Sequence, residues 1–419
     1  MATTTTNFGW DIPQSTDLVK DGATAIAALG QDIDTALVDL KGGTTGQVLA
    51  KASNTDLDYS WTTPQVGDIT AVTAGTGITG GGTSGDVTVS FDQANFGGGQ
   101  FAAGKNKIIN GEFDFWQRGT TLTYTTSGLN YLPDRFFSWT IGTLNVTVSQ
   151  QTFSPGTAPV SGYESQYFLR NAVTSLSGQS IQAVGQRIED VRTLAGQTAT
   201  FSFWAKADAS RTYTTRLIQN FGSGGSSEVA ITGGSHSVTT SWQRFSVTVS
   251  IPSISGKTIG TSSYLQPLLD GPANTANTLD TWGWQLEAGS FATPFQTATG
   301  TIQGELAACQ RYYYRLTPGA AGRRFGAAYG ASTTGAIILT QFPVSMRINP
   351  TALEQSGTAG DYSFAQGATV LTNNAVPTFN TASTDNASTS FPITGTTDAA
   401  AGNGRATSGT GFLGWSAEL

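Results

Sequence analysis

The sequence predicts a mainly β protein, and three observations support this class. Several segments alternate apolar and polar residues with a period of two, which is the pattern of half-buried strands. Glycine supplies 52 of the 419 residues, so tight turns are frequent. Charged residues make up 12% of the chain, whereas an ordinary globular protein has about 25%. We therefore expect short strands joined by turns, with few helices.

The composition excludes several classes of site. The net charge is −7 and no block of lysine or arginine occurs, so we expect no nucleic-acid partner. No apolar run reaches the roughly 18 residues of a membrane helix, so we expect no membrane insertion. The first six residues lack the basic and apolar parts of a signal peptide, which predicts synthesis in a cytoplasm without one. Cys309 and His236 are single, which excludes an intrachain disulfide and argues against histidine-based catalysis.

Residues 1–42 are predicted to attach the chain to another protein. Phe8, Trp10 and Ile12 form an aromatic anchor before Pro13, although an unanchored terminus is an alternative. A helix follows from Asp21 to Leu40, because apolar residues recur there at spacings of 3, 4, 3 and 4. These residues are Ile26, Leu29, Ile33, Ala36 and Leu40. The stripe either packs on its own domain or joins a short parallel bundle between chains, and we favour the bundle.

Residues 43–104 are predicted to form a Gly/Thr-rich β shaft or linker. A strand, a turn near Ser53 and a second strand ending near Thr63 are expected, and alternation over Val87–Phe91 predicts another strand. One chain offers too little apolar area here for a core, so we expect three chains to wind into a trimeric shaft. The glycines at 80–85 are not a phosphate loop, because no Gly-Lys-Ser/Thr follows them.

The largest domain is predicted over residues 105–300. Asn110-Gly111 is read as a tight turn between two strands. Further strands each place one apolar set on one face, which favours an antiparallel sandwich. The sets are Leu144, Val146 and Val148; Phe201, Phe203 and Ala205; Phe245, Val247, Val249 and Ile251; and Trp282, Trp284 and Leu286.

Residues 301–419 are predicted to form a connecting helix and a C-terminal, sandwich-like β domain. Ile302, Leu306, Cys309 and Tyr313 recur at near-helical spacing, so we expect a helix over 301–312 with a buried thiol. The last residues, 409–419, are read as a final strand. If the N-terminus attaches to a larger particle, this domain is the distal tip and its polar loops face outward.

Six motifs in order resemble the carbohydrate-binding-module-like jelly rolls of bacteriophage tail fibres, and they span about half the chain. They are NKIINGEFDFWQRG, YLPDRFFSW, VGQRIEDVRTLAGQTATFSFWAKAD, SWQRFSVTVSIP, WGWQLEAGSFATPFQ and ELAACQRYYYR. TTNFGWDIPQSTDLVKDGATAIAALGQDIDT and ITAVTAGTGITGGG similarly resemble N-terminal and shaft segments of such fibres. The resemblance implies a jelly-roll β-sandwich, location in a virion, attachment to a tail or baseplate protein, and binding to a bacterial surface glycan.

Glycan recognition needs flat aromatic faces and planar polar groups. Trp204 lies opposite Phe201 and Phe203 on its predicted strand, so we expect it to face outward. The other candidate residues are Trp139, Tyr131, Trp242 and Arg216. The alternative is that each of these side chains fills the core or a seam between subunits.

The resemblance also implies a metal site. Asp114 and Asp280 match acidic positions of related modules where a structural Ca²⁺ often binds. Two carboxylates do not complete a calcium site, because Ca²⁺ takes six to eight oxygen ligands. No other cofactor is expected.

Three functions fit the sequence. The first is a homotrimeric, non-enzymatic virion fibre that binds a host glycan. The second is a polysaccharide depolymerase, which would need a pair of carboxyl groups at a defined separation. The third is a structural virion component, such as a head fibre, collar or spacer, without a receptor role.

Overall fold

A computed structural model of the protein describes residues 3–64, 71–75, 78–83, 85–91 and 104–419. The chain divides into two compact units, Met1–Ser90 and Phe91–Leu419. The predicted mainly β class is confirmed. Residues 65–70, 76, 77, 84 and 92–103 of the predicted shaft lie outside the described residues. The predicted division into four segments stays a prediction. No helix in the described ranges is long and apolar enough to cross a membrane.

The first unit contains the predicted helix and short antiparallel strand pairs. Helix α1 covers Val19–Ala36 and a 3₁₀ turn follows at Val38–Leu40. Its strands are β1 (Thr3–Thr4), β2 (Asp11–Ile12), β3 (Val48–Lys51), β4 (Tyr59–Thr62), β5 (Val72–Thr73), β6 (Ile78–Gly82) and β7 (Val89–Phe91). β3 pairs with β4, which confirms the predicted hairpin. α1 buries none of its side chains within the described part of the chain. The trimeric shaft stays a prediction.

The second unit begins with an antiparallel β-sandwich. Its strands are β8 (Thr121–Tyr124), β9 (Gly128–Tyr131), β10 (Phe136–Thr152), β11 (Tyr167–Gln186), β12 (Ile188–Glu189), β13 (Thr198–Ala207), β14 (Arg211–Asn220), β15 (Val229–Val238), β16 (Gln243–Ser250), β17 (Tyr264–Asp270) and β18 (Asn277–Ala288).

Two long strands, β10 and β11, run through both layers of the sandwich. The second half of β10 and the first half of β11 lie in a first sheet of order β8-β10-β11-β18-β13-β16. Their other halves lie in a second sheet of order β9-β10-β11-β17-β14-β15. The pairing of β10 with β11 is irregular between Ile141 and Thr143, and again between Asn145 and Val146. These irregularities lie where the two strands pass from one sheet to the other, as bulges do at the bends of a sheet.

The core lies between the two sheets. Trp284 of the first sheet meets Phe136 of the second edge to face, with ring centres 5.3 Å apart. The Tyr213 hydroxyl donates across the core to Asn277 Oδ1 at 2.9 Å. Leu144, Val146 and Val148 are all buried in this core, as their alternation predicted.

The opening motif differs from its prediction. Residues 104–120 form turns and no strand. Asn110 has a left-handed φ of 59°, and its side chain binds both the N–H and the carbonyl of Phe115. Because this side chain satisfies backbone groups that a strand would pair with another strand, the segment folds into turns. A Cβ on Gly111 would lie 2.3 Å from the Trp284 carbonyl oxygen, so only glycine fits there.

The prediction that Trp282 and Trp284 share a face is also wrong. Gly283 has a φ of +66°, and the pairing of β13 with β18 shifts between Ser202 and Trp204. Because the bulge adds one residue to the strand, Trp282 and Trp284, which are two residues apart, turn to different faces. Trp284 contacts Phe201 in the core, whereas Trp282 contacts Trp204 on the outer side.

The second unit ends with helix α2 (Ile302–Gln310) and a further β region. Its strands are β19 (Tyr313–Leu316), β20 (Arg324–Ser332), β21 (Gly335–Gln341), β22 (Glu354–Gln355), β23 (Tyr362–Gln366), β24 (Thr369–Thr372), β25 (Thr378–Ala382), β26 (Asn386–Pro392), β27 (Ala401–Ala406) and β28 (Leu413–Ser416), with a 3₁₀ turn at Ala359–Asp361. A seven-stranded sheet of order β24-β23-β27-β20-β21-β26-β25 and the small sheet β19-β28-β22 enclose a second core.

The C-terminal β region packs on the sandwich. Gln117 Nε2 donates to the Tyr313 carbonyl at 2.9 Å, and Arg311 forms an ion pair with Glu189 at 3.0 Å. Cys309 of α2 is fully buried, as predicted, and burial raises the pKa of its thiol. The distal-tip role of this region stays a prediction.

Candidate functional site

Three of the predicted glycan-contact residues lie together on the outer face of the second sheet. Tyr131 of β9, Trp139 of β10 and Arg216 of β14 are each partly exposed. Their neighbours Phe136 and Leu217 point into the inner core. Strand alternation therefore turns Trp139 and Arg216 outward. They share this face with a separate apolar cluster made of Phe137, Ala183, Ile218 and Leu268.

Arg216 is held in place by a carboxylate. Its Nε and Nη2 atoms donate to Asp270 at 3.0 and 2.9 Å. The guanidinium carbon lies 5.8 Å from the centre of the Trp139 ring. The hydrogen bonds to Asp270 raise the pKa of Arg216. The guanidinium of Arg216, held by Asp270, and the neighbouring Trp139 ring therefore place planar polar groups and an apolar face side by side.

In the register of β10, β11 and β17, only a small side chain lies between the Trp139 ring and the Arg216–Asp270 ion pair. Ala183 of β11 lies opposite Trp139 on one side and opposite Asp270 on the other. A single methyl group therefore separates the two along this row. Asp270 was not among the residues predicted from the sequence, although its lone carboxylate directly follows the apolar pair Leu268-Leu269 in β17 and could have indicated it.

Tyr131 forms the edge of the same face. Its hydroxyl donates to the carbonyl oxygen of Leu419 at 3.1 Å, and the Arg118 guanidinium lies 5.4 Å from its ring centre. Burial raises the pKa of Tyr131 to about 12. Its hydroxyl is engaged with the protein and its ring packs edge to face on Phe137 at 5.8 Å, so Tyr131 borders the face.

Trp204 and Trp242 lie on the outer face of the first sheet, away from the other three. Trp204 does point opposite to Phe201, but only 8% of it is exposed. Its ring meets Trp282 at 5.3 Å. Trp242 packs on Phe153 at 5.4 Å. Residues 153–166 and Phe295 cover this aromatic layer, which a period-two pattern could not show.

An open polar cavity of about 410 Å³ lies beside the same covering segment. It is lined by Glu112, Asp114, Gly162, Tyr163, Glu164, Ser165 and Gln166. The Tyr163 hydroxyl donates to Glu112, and Trp282 Nε1 donates to Ser165 Oγ at 2.7 Å. Burial, and then the nearby Asp114, raise the pKa of Glu112 to about 7. Burial also raises the pKa of Asp114. Glu112 therefore loses its proton as the pH rises through about 7.

Asp114 and Asp280 have separate surroundings. Both oxygens of Asp280 accept from Arg170, at 2.7 and 2.8 Å, and Lys206 lies 3.6 Å away. Asp114 lines the cavity instead. Among the residues that the structure describes, no group of three His, Cys, Asp or Glu could hold a metal. Asp114 and Asp280 do not fit a shared Ca²⁺, because the positively charged side chains of Arg170 and Lys206 already lie at the Asp280 oxygens.

The predicted attachment residues lie in the first unit. Phe8 stacks on Trp10 with ring centres 4.9 Å apart, and 51% of Phe8 is exposed. Ile12 belongs to β2 and lies opposite Thr3. The structure thus presents an exposed aromatic pair, while its role in attachment stays a prediction.

Comparisons with known proteins give no family for this chain. No family model matches, and no curated protein matches. Among solved structures, the enzymatically active domain of bacteriophage CBA120 tailspike protein 4 is 12% identical, with a TM-score of 0.27 over 44% of this chain and 22% of that one. A CBM4 structure is 20% identical, with a TM-score of 0.27 over 43% of this chain and 99% of that one. TmCBM61 in complex with β-1,4-galactotriose is 12% identical, with a TM-score of 0.24 over 44% and 99%. At these identities and TM-scores the likeness carries no argument about function.

Proposed function

We propose that this chain is a non-enzymatic fibre protein of a bacteriophage virion that binds a bacterial surface glycan through the outer face of its second sheet. The observation that carries the proposal is the grouping of Trp139 and Tyr131 with the Arg216–Asp270 ion pair. Sugar rings present C–H faces that pack on aromatic side chains, and their hydroxyl pairs match planar hydrogen-bonding groups. The ordered motifs that resemble tail fibres support the virion context.

Replacing Trp139 with alanine is expected to weaken glycan binding roughly tenfold or more, because an aromatic anchor in a binding face contributes well over 1 kcal/mol. The measurement is binding of the full chain to an array of bacterial surface polysaccharides, followed by calorimetry with the best binder. Trp139 is only partly buried, so the variant should still fold.

Phe291→Ala is the matched control. Phe291 is an exposed aromatic residue of the same sandwich, with 63% of its area accessible, and it lies outside the proposed face. Its loss should leave affinity unchanged. If Trp242→Ala weakens binding and Trp139→Ala does not, the first sheet carries the site. If wild type binds no polysaccharide, the purely structural virion role replaces this proposal.

We propose no catalytic role for the acidic pair Glu112 and Asp114, although glycosidases also use two carboxyl groups. Release of reducing ends from a bound polysaccharide would instead favour a depolymerase.

We also propose that the chain assembles as a homotrimer and attaches to a tail or baseplate protein through Phe8, Trp10 and Ile12. α1 supports the trimer, because its apolar stripe includes Ile26, which is 65% exposed, and a heptad stripe of this kind packs against copies of itself. Light scattering should give three times the 43.6 kDa mass of one chain. A monomeric mass would contradict the trimer. Three linked copies would raise weak affinity by avidity.

A further inference from the structure

A second surface of interest lies on the seven-stranded C-terminal sheet, where two arginines face each other across neighbouring strands. Arg324 of β20 lies directly opposite Arg405 of β27. Side chains in such a pair have Cβ atoms about 5 Å apart, and like charges there destabilise a sheet. Arg323 precedes Arg324 and is exposed as well.

The pair lies on the outer face of this sheet. Ala406 is buried in the C-terminal core, and a Cβ on Gly404 would lie 2.5 Å from Ile338 Cγ1, so both residues face inward. Arg405 therefore faces outward, and its Nε donates to the neighbouring Asn403 Oδ1 at 2.7 Å. Within the described residues only Nε of the Arg405 side chain has a hydrogen-bond partner, and Arg324 is exposed.

These arginines have no carboxylate partner within the ranges that the structure covers. Seven other arginines form ion pairs there. The chain as a whole is acidic, with a net charge of −7. Arg324 and Arg405, which leave their charge uncompensated in such a chain, form a local positive patch, and the like-charge cost is offset when an anion binds.

We propose that Arg324 and Arg405 bind the oxyanion groups of an acidic glycan. This inference rests on the proposed glycan-binding function and adds that the bound glycan is negatively charged. Guanidinium groups bind phosphate and carboxylate in a two-pronged geometry, so either group on a polysaccharide chain suits the patch. Exposed cationic contacts of this kind weaken as salt rises.

The test measures binding of the full chain to three polymers by calorimetry: poly(glycerol phosphate), polygalacturonate and neutral dextran. Wild type should bind one or both charged polymers, and the two charged arms show whether phosphate or carboxylate is preferred. Arg324→Gln combined with Arg405→Gln should weaken that binding roughly tenfold or more. Raising the salt concentration from 0.05 to 0.5 M should weaken it similarly.

Arg192→Gln is the control, because Arg192 is an exposed arginine of the sandwich that pairs with Asp190. It should bind as wild type does. The double variant should unfold at the same or a higher urea concentration, because it removes a like-charge pair, so lost binding would not reflect lost folding. Binding of charged polymers that the double variant retains, or their failure to bind wild type, would overturn the proposal. Trp139→Ala tests the sandwich face separately, so each proposal can fail alone.

Discussion

Replacing Glu418 with alanine is expected to lower the free energy of unfolding of the second unit by about 3–5 kcal/mol. Glu418 forms a buried ion pair with Arg135, whose side chain is 1% exposed against 6% for Glu418. Arg118 lies 3.4 Å from the same carboxylate. Arg135 also lies 3.4 Å from the centre of the Tyr312 ring. Without Glu418, a fully buried guanidinium would lose its compensating charge.

Urea unfolding followed by tryptophan fluorescence measures this loss, because seven of the nine tryptophans lie in residues 91–419. Glu418→Gln separates charge from packing: it keeps the shape and removes the charge, so it should also destabilise, by less than alanine does. Arg192→Ala breaks the exposed pair with Asp190, in which the side chains are 62% and 44% exposed. That control should change stability by less than about 1 kcal/mol. Equal losses in Glu418→Ala and Arg192→Ala would contradict the buried-pair argument.

Replacing Glu112 with glutamine is expected to remove part of the pH dependence of stability. Burial raises the pKa of Glu112 from 4.5 to about 7 in the folded chain. A raised pKa means that the folded state holds the proton more tightly than the unfolded state does. Its stabilising contribution is therefore complete below about pH 4.5 and is lost as the pH rises through about 7. Between pH 5 and 7.5, the free energy of unfolding of wild type should fall by about 2 kcal/mol more than that of Glu112→Gln.

Glu164→Gln is the matched control for this experiment. Glu164 lines the same cavity but is exposed, so its replacement should leave the pH profile of wild type in place. Burial also raises the pKa of Asp134, to about 6. Asp134 acts in the same direction, so Glu112→Gln should reduce the slope without abolishing it. A Glu112→Gln profile that matches wild type would show that this carboxyl titrates normally.

The grouping of the candidate glycan face depended on the tertiary structure. Aromatic and arginine side chains with the right chemistry were predicted from the sequence as Trp139, Tyr131, Arg216, Trp204 and Trp242. The structure separates them because β10 and β11 each cross between the sheets. Residues far apart in sequence, such as Trp139 and Arg216, thereby come to one face, while Trp204 lies under a covering segment on the other. The alternation of apolar and polar residues within one strand does not indicate which strands become its neighbours.

Features set by neighbouring residues were determined by the sequence alone. The mainly β class, the hairpin β3–β4, helix α1 and the buried thiol of α2 follow from periodicity and turn chemistry, which act within a few residues. The tertiary structure decided the bulge at Gly283, which assigns Trp282 and Trp284 to different faces, and the burial of Glu418 against Arg135. These features depend on contacts between distant segments, whose energies arise only when packing removes side chains from water.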